Sequence, residues 1–438
     1  MTKHLLLTAV VLALAISWGA FALDVPLTYQ KASPETQEIG FSGGASPDLL
    51  LKCPPGDWKL PELTGENPIY VLIELGDSKR LLIFDRGKAT DSFYNRLHFD
   101  ANGNKDLTDD PVLKGEGEGN QDYDRVQFGP IETAIEVQGK SLPYSFITGA
   151  NCWNKAQLKT AKLTPQNARQ FLQIWLNGRC LYQGEFALDS GRYRVVLIDG
   201  NCNGRFDDKL SSEVTGPQGE IYPSGDRLYL RPVGEQFRYD DAFILGDLLL
   251  INGKLFDVRV SIPEGKMTLT PDTEKVARIK LAMDAERITL DTKAGKRSVM
   301  MFRPGKQVEL PEAEYRVFSY AVLRKDEKGS QWLVSGQASG GSPFAPAGAA
   351  LTFGEPYTVW ADVPEWSVQN FSHGAPEVQL LLNIQGVGKE RVTNLERISG
   401  EASSIPLAQS NVNRPKEATY RIATSEGEVV AQGNFQYG

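Results

Sequence analysis

Apolar runs of strand length, separated by turn residues, recur along nearly the whole chain. Leu49 to Cys53, Ile69 to Leu75 and Arg80 to Phe84 are the first, with Gly76-Asp77-Ser78-Lys79 predicting a hairpin between the last two. Ile131 to Val137 and Ser141 to Ile147 flank a turn at Gly139, and Arg179 to Phe186 and Arg192 to Asp199 flank Asp189-Ser190-Gly191. Arg227 to Val233, Ala242 to Ile251, Lys254 to Ile262 and Lys266 to Leu269 follow. The Asn252-Gly253 pair between two of these is the favoured composition of a tight hairpin turn.

The texture changes around Thr270-Pro271-Asp272. Beyond it, Val276 to Met283, Ile288 to Asp291, Ser298 to Phe302, Val308 to Leu310, Tyr315 to Arg324 and Gln331 to Val334 predict strands. Tyr357 to Val363, Val378 to Ile384, Arg391 to Ile398, Thr419 to Ala423 and Val429 to Phe435 continue them. Gly336 to Ala350 and Ser403 to Lys416 are loop-like in composition, and Lys114 to Asp124 predicts an exposed polar loop. One segment predicts a helix. Thr164 suits a cap, Pro165 the first turn and Gly178 the stop, and Ala168, Phe171, Leu172 and Trp175 share one helical face. The competing prediction there is a strand from Phe171 to Leu176.

The expected fold is therefore mainly β: a loop-bearing β domain over residues 45–271, then a β-sandwich region over 272–438. That region would hold one or two domains, with a candidate break near 336–350. Residues 23–44 predict a polar N-terminal arm.

The candidate chemistry lies in two matched stretches. His98 to Asp110 reads HFDANGNKDLTDD, and Ile198 to Asp208 reads IDGNCNGRFDD. Aligning Asp100 with Asp199 places Asn102 on Asn201, Asn104 on Asn203, Leu107 on Phe206 and Asp109 on Asp208. Each stretch follows strand character, so each predicts a strand delivering an oxygen-rich loop. Ca²⁺ takes six to eight oxygen ligands, and side chains at loop positions 1, 3 and 5 can converge on one point with a main-chain carbonyl at position 7. Asp100, Asn102 and Asn104, and Asp199, Asn201 and Asn203, fill the first three places. Asp106 and Arg205 fill the fourth with their carbonyls. The apolar Leu107 and Phe206 suit anchors into a core. Asn-Gly and Asp-Gly pairs also favour ordinary hairpin turns, which is the competing explanation for either stretch alone.

These loops resemble the calcium loops of EF-hands, dockerins and thrombospondin type 3 repeats over about ten residues each, which implies calcium binding and no particular activity. They depart from the EF-hand in two ways. The first has Lys105 where the second has Gly204, and the twelfth position is Pro111 or Leu210 in place of a bidentate Glu. The closing acid must then come from Asp109 or Asp110, and from Asp207 or Asp208. Leu310 to Val317 resembles the turn before a strand in transthyretin-like and bacterial surface sandwich domains. With the segments RYRVVLIDGNCNGRFDD and GEVVAQGNFQYG, the whole chain resembles secreted bacterial proteins in which paired D-x-N-x-N loops precede an Ig-like end.

The first residues change the picture of location. Lys3, the apolar Leu5 to Ile16 and Ala20-Phe21-Ala22 have the layout of a secretory signal peptide cleaved after Ala22. The apolar stretch is short for a membrane span of about twenty residues. A periplasmic or secreted protein without a transmembrane anchor is expected. The formal charge of −8 argues against nucleic acid, whose binding rests on Lys and Arg clusters. Four Cys in an exported chain suggest disulfides. If the hairpin at Asp189-Ser190-Gly191 forms, Cys180 lies opposite about Gly200, close enough for a Cys180–Cys202 bond, and Cys53–Cys152 follows by elimination.

No nucleophile elbow, HExxH, P-loop or CxxC is present. After cleavage the histidines are His98 and His373. His98 shares a strand face with Asp100, but calcium prefers oxygen. Trp175, Trp332, Trp360 and Trp366 could form a sugar-stacking face, although Trp in a sandwich is commonly core. Paired acids of a glycoside hydrolase have no marked position. The expectation is thus a calcium-binding structural or interaction protein of the cell envelope, without catalysis, whose partner is a protein or a glycan. A carbohydrate- or surface-binding module is the first alternative and a carboxylate-dependent hydrolase the second.

Overall fold

A computed structural model describes residues 22–33, 44–65, 67–88, 91, 94–119, 123–154, 163–165, 167–212, 221–238, 241–293, 295, 297–372, 377–398 and 417–435. The leader expected up to Ala22 lies outside the described residues as far as Phe21, as do His373 and the segment Ser403 to Lys416 expected to be a loop. The chain is mainly β and sandwich-like. A four-stranded sheet (Ile69–Leu75, Ser78–Asp85, Arg96–Phe99, Leu113–Lys114) carries the first loop. A five-stranded sheet ordered Ala242–Ile244, Arg227–Pro232, Gly191–Ile198, Cys180–Leu188, Thr28–Lys31 carries the second. Another five-stranded sheet is centred on the long strands Tyr123–Val137 and Lys140–Trp153. One apolar core unites these sheets, with Val71, Phe84, Phe99, Phe128, Phe146, Val195, Leu230 and Leu249 all buried in it.

The largest sheet has eleven strands and crosses the composition change near residue 271. Leu248–Ile251 runs parallel to Val299–Phe302, pairing Leu248 with Val299 and Leu250 with Met301. The core itself does change there: Ile279, Ile288, Leu310, Tyr320 and Phe353 belong to a second cluster, which Leu248 and Leu250 join from the other side. No strand lies between Gln337 and Thr358, yet the sheet continues through Gln331–Gln337 onto Arg391–Ile398. The polar arm forms strands. Leu23–Pro26 pairs with Lys266–Pro271 and Thr28–Lys31 with Cys180–Leu188, because the two buried apolar residues Val25 and Leu27 insert into the main core.

The turn chemistry gives the hairpins their places. Asp189, Asn252 and Gly253 have positive φ (54°, 51° and 73°), as tight hairpin turns require. Gln138 and Gly139 do the same between the two long strands, at 51° and 73°. The helix predicted after Thr164 is cut to one turn, Ala168–Phe171, and Leu172–Gly178 is a strand. Its Leu172, Ile174 and Leu176 are buried while Gln173 faces out, because pairing with Lys140–Trp153 selects a period of two for this β-branched and aromatic run. Ala242 to Ile251 divides into two strands in different sheets, Ala242–Ile244 and Leu248–Ile251, and Leu49 to Cys53 makes only a bridge from Leu50 to Tyr70. In the Lys114 to Asp124 stretch, Glu116–Gly119 is an exposed edge strand against Tyr123–Val137. Glu365–Ser372 is a short helix with Trp366, Val368 and Phe371 exposed.

Neither expected disulfide is present: Cys53, Cys152, Cys180 and Cys202 are thiols. The hairpin has the expected strands, but its register, Tyr182 opposite Leu197, carries Cys180 level with Asp199. Cys180 lies beside the Tyr29 hydroxyl and the Ser145 backbone, and Cys202 beside the Tyr144 hydroxyl and the Gly178 backbone, with Asp199 near both. Cys53 packs in a small cluster with Tyr70, Leu81 and Ile83, whereas Cys152 belongs to the main core.

Candidate metal centre

Both loops leave the ends of strands, Arg96–Phe99 and Gly191–Ile198. In the first loop Asp100 is fully buried. Asn102 Oδ1 accepts from the Asn104 amide at 2.9 Å, and Asn104 Oδ1 from the Asp106 amide at 2.7 Å, so each Asn closes a turn on the residue two places on. Gly103 and Lys105 take positive φ, 76° and 67°. The side-chain nitrogens of Asn104 and Asn102 donate to Asp109 at 2.8 and 3.5 Å. Asp109 is thus the closing acid of this loop. Asp110 turns inward, and burial with Asp109 and Asp100 nearby raises its pKa. Asp106 accepts from Lys59 at 2.6 Å, which holds its carboxyl below the usual range.

The second loop repeats this pattern. Asn201 Oδ1 accepts from the Asn203 amide at 3.1 Å and Asn203 Oδ1 from the Arg205 amide at 2.7 Å. Asn201 and Asn203 donate to Asp208 at 3.0 and 2.7 Å, so the tenth position closes both loops. Asp207 is exposed and takes no part in that contact. Arg205 pairs with Asp77 at 2.8 Å. Leu107 and Phe206 anchor the loops as expected: Leu107 packs with Tyr70, Leu81 and Ile83, and Phe206 lies edge-on to Tyr182 with ring centroids 4.9 Å apart.

The loops are neighbours around one hairpin turn and one strand. Thr133 donates to the carbonyl of Ala101 in the first loop at 2.5 Å, and Arg80 spans Ala101 and Ala134, donating at 2.6 and 3.0 Å. On the other side Gly76 donates to the Asn203 carbonyl at 2.7 Å. Gly204 leaves no room for a side chain, since a Cβ there would lie 2.6 Å from Ile135 Cδ1 and 3.0 Å from the Gly76 nitrogen.

Three residues outside the matched stretches complete the site. Asp226 is fully buried and accepts from the amides of Gly200 and Asp208, both at 2.8 Å, clasping the two ends of the second loop. Burial, with Asp199 and Asp208 nearby, pushes its pKa up to about 9. Tyr144 donates to Asp199 at 2.8 Å, and burial pushes that acid up to about 6. Arg80 also donates to the Asp100 carbonyl at 3.1 Å. The local sequence signal at Asp226 is only the turn composition of Ser224-Gly225-Asp226, which says nothing of a partner eighteen residues earlier. His98 is buried with both ring nitrogens unpartnered among the described residues, and burial lowers its pKa.

Among the described residues no three Asp, Glu, His or Cys side chains form a metal cage by themselves. A hard cation here would draw on amide and main-chain oxygens as well, the donor mixture that calcium accepts. The fit has direct support in the first loop, where Asp100 Oδ2 is buried without a partner among the described residues. The chain matches no protein-family model, no curated protein and no solved structure. No helix among the described residues is long and apolar enough to cross a membrane.

Proposed function

We propose that this chain is an exported calcium-binding structural or interaction protein of the cell envelope, acting without catalysis. The observation that carries this reading is the repeated convergence of Asn102, Asn104 and Asp109, and of Asn201, Asn203 and Asp208, at the roots of two strands. An amide exchanges its nitrogen for its oxygen by a half-turn about Cβ–Cγ, so the same residues can offer an oxygen where they now donate to an acid. In the first loop Asp100 at the first position and the Asp106 carbonyl at the seventh would add to the set; Asp199 and the Arg205 carbonyl stand at the matching places of the second. Export rests on the leader-like segment up to Ala22.

Thermal unfolding of the mature chain in EDTA, then with calcium and magnesium added separately, tests this. A ligand that binds only the folded state stabilises it by mass action, so calcium is expected to raise the midpoint and magnesium to raise it far less. Equal midpoints in all three conditions would leave the loops as hydrogen-bonded turns.

A second reading, a carbohydrate- or surface-binding module, draws support from Trp360 and Trp366. They are 39% and 47% exposed on successive elements, Thr358–Asp362 and Glu365–Ser372, and exposed Trp rings suit sugar stacking. Polysaccharide binding lost in both Trp360→Ala and Trp366→Ala, with unchanged unfolding midpoints, would favour it.

A further inference from the structure

We infer that the two loops are not equivalent: the first is the exchangeable cation site, and the second is held closed by protein groups where an ion would otherwise be needed. This rests on the calcium reading above. A carboxylate offers about four acceptor sites. At Asp199 they are filled. Oδ1 accepts from the amides of Asn201 and Asn203 at 3.1 and 3.3 Å, and Oδ2 from the Gly204 amide and the Tyr144 hydroxyl at 2.7 and 2.8 Å. Asp199 is 1% exposed, and Asp226 already ties together Gly200 and Asp208. A cation entering here would have to displace these donors from a dry carboxylate.

The first loop has the same frame without that closure. Asp100 accepts one long contact, 3.4 Å from the Lys105 amide to Oδ1, and Oδ2 is buried with no partner among the described residues. A buried carboxylate oxygen left so is costly unless something pairs with it. Asn102, Asn104 and Asp109 are exposed, so the approach is open to solvent. Arg80 holds the carbonyls of Asp100 and Ala101 and leaves the Asp100 carboxylate available. Lys59 occupies the side chain of Asp106, a position from which only the main-chain oxygen is required. These two cations weaken binding at this site, in keeping with exchange, but do not fill the donor set.

The test is a calcium titration of the mature chain by calorimetry, with terbium as an optical probe. Trp58 lies beside the first loop, its ring 5.9 Å from Lys105 Nζ, and serves as a sensitiser. A single equivalent of calcium is expected. Asp109→Asn should weaken it by about tenfold or more, since charge count sets affinity in such loops. Asp208→Asn should leave the affinity within about twofold by the same reasoning. Asn104→Ala and Asn203→Ala give a second pair with the same expected contrast, and near-ultraviolet circular dichroism checks that each variant keeps its fold. Two equivalents, or a loss on Asp208→Asn and Asn203→Ala alone, would overturn the division of labour and leave calcium binding standing. No uptake by the parent chain would overturn both.

Discussion

Asp226 accepts from two part-buried amides, those of Gly200 and Asp208, at the root of the second loop. Leaving a buried donor unpaired costs about 1–3 kcal/mol, so Asp226→Ala is expected to destabilise the fold by about 2–5 kcal/mol in urea unfolding. Asp226→Asn keeps one of the two acceptors and turns a donor NH2 toward the other amide, so it should cost less than Asp226→Ala but remain destabilising. Two glycines allow a second comparison. Gly204 and Gly253 have similar φ, 78° and 73°, but only Gly204 is crowded, and a Cβ on Gly253 meets nothing within 4 Å. Gly253→Ala should cost about 1–2 kcal/mol from backbone strain alone. Gly204→Ala should cost clearly more, since Ile135 and the Gly76 backbone must also move. The matched spacing from Asp100 and Asp199 was legible because loop ligands are local in sequence. Asp226, Tyr144 and Arg80 were not, because each reaches its loop from another segment of the chain.

Strands whose partners are adjacent in the chain were the easiest elements to place. Ile69–Leu75 and Thr419–Ala423 coincide with their apolar runs, and Asn252-Gly253 makes the turn its composition favours. Leu172–Gly178 is the instructive failure. Its apolar residues fit one helical face and one strand face about equally, and the pairing with Lys140–Trp153 decides. The two arrangements make different demands on Ile174, which is buried in the strand and lies off the predicted helical face. Ile174→Ala is expected to cost about 2–5 kcal/mol, as large-to-small changes in cores do, against about 0.5 kcal/mol or less for Gln173→Ala, measured by chemical denaturation. The N-terminal arm failed for a related reason. Val25 and Leu27 are too few to mark strands, and their burial depends on sheet edges formed some 150 and 240 residues later.

At the scale of the whole molecule, the parallel pairing of Leu248–Ile251 with Val299–Phe302 joins the two halves of the chain in one sheet. Fragments 23–271 and 272–438 are each expected to expose an unpaired apolar strand and to aggregate or remain unfolded when expressed apart. Recovery of either as a cooperatively folding, monomeric species by calorimetry and sedimentation would contradict that. The sequence by itself determined the β class, most hairpins, the turn residues and the two loops with their apolar anchors, all of which depend on residues within about ten positions of one another. Tertiary structure alone decided which apolar run would be strand or helix, that the arm would be woven into two sheets, and that the cysteines would remain thiols. It also set the two matched loops on different courses: Tyr144 and Asp226 satisfy the second from other segments of the chain, while a buried oxygen of Asp100 in the first is left without a partner among the described residues. Those outcomes depend on contacts between segments far apart in the chain, and neither periodicity nor spacing records such contacts.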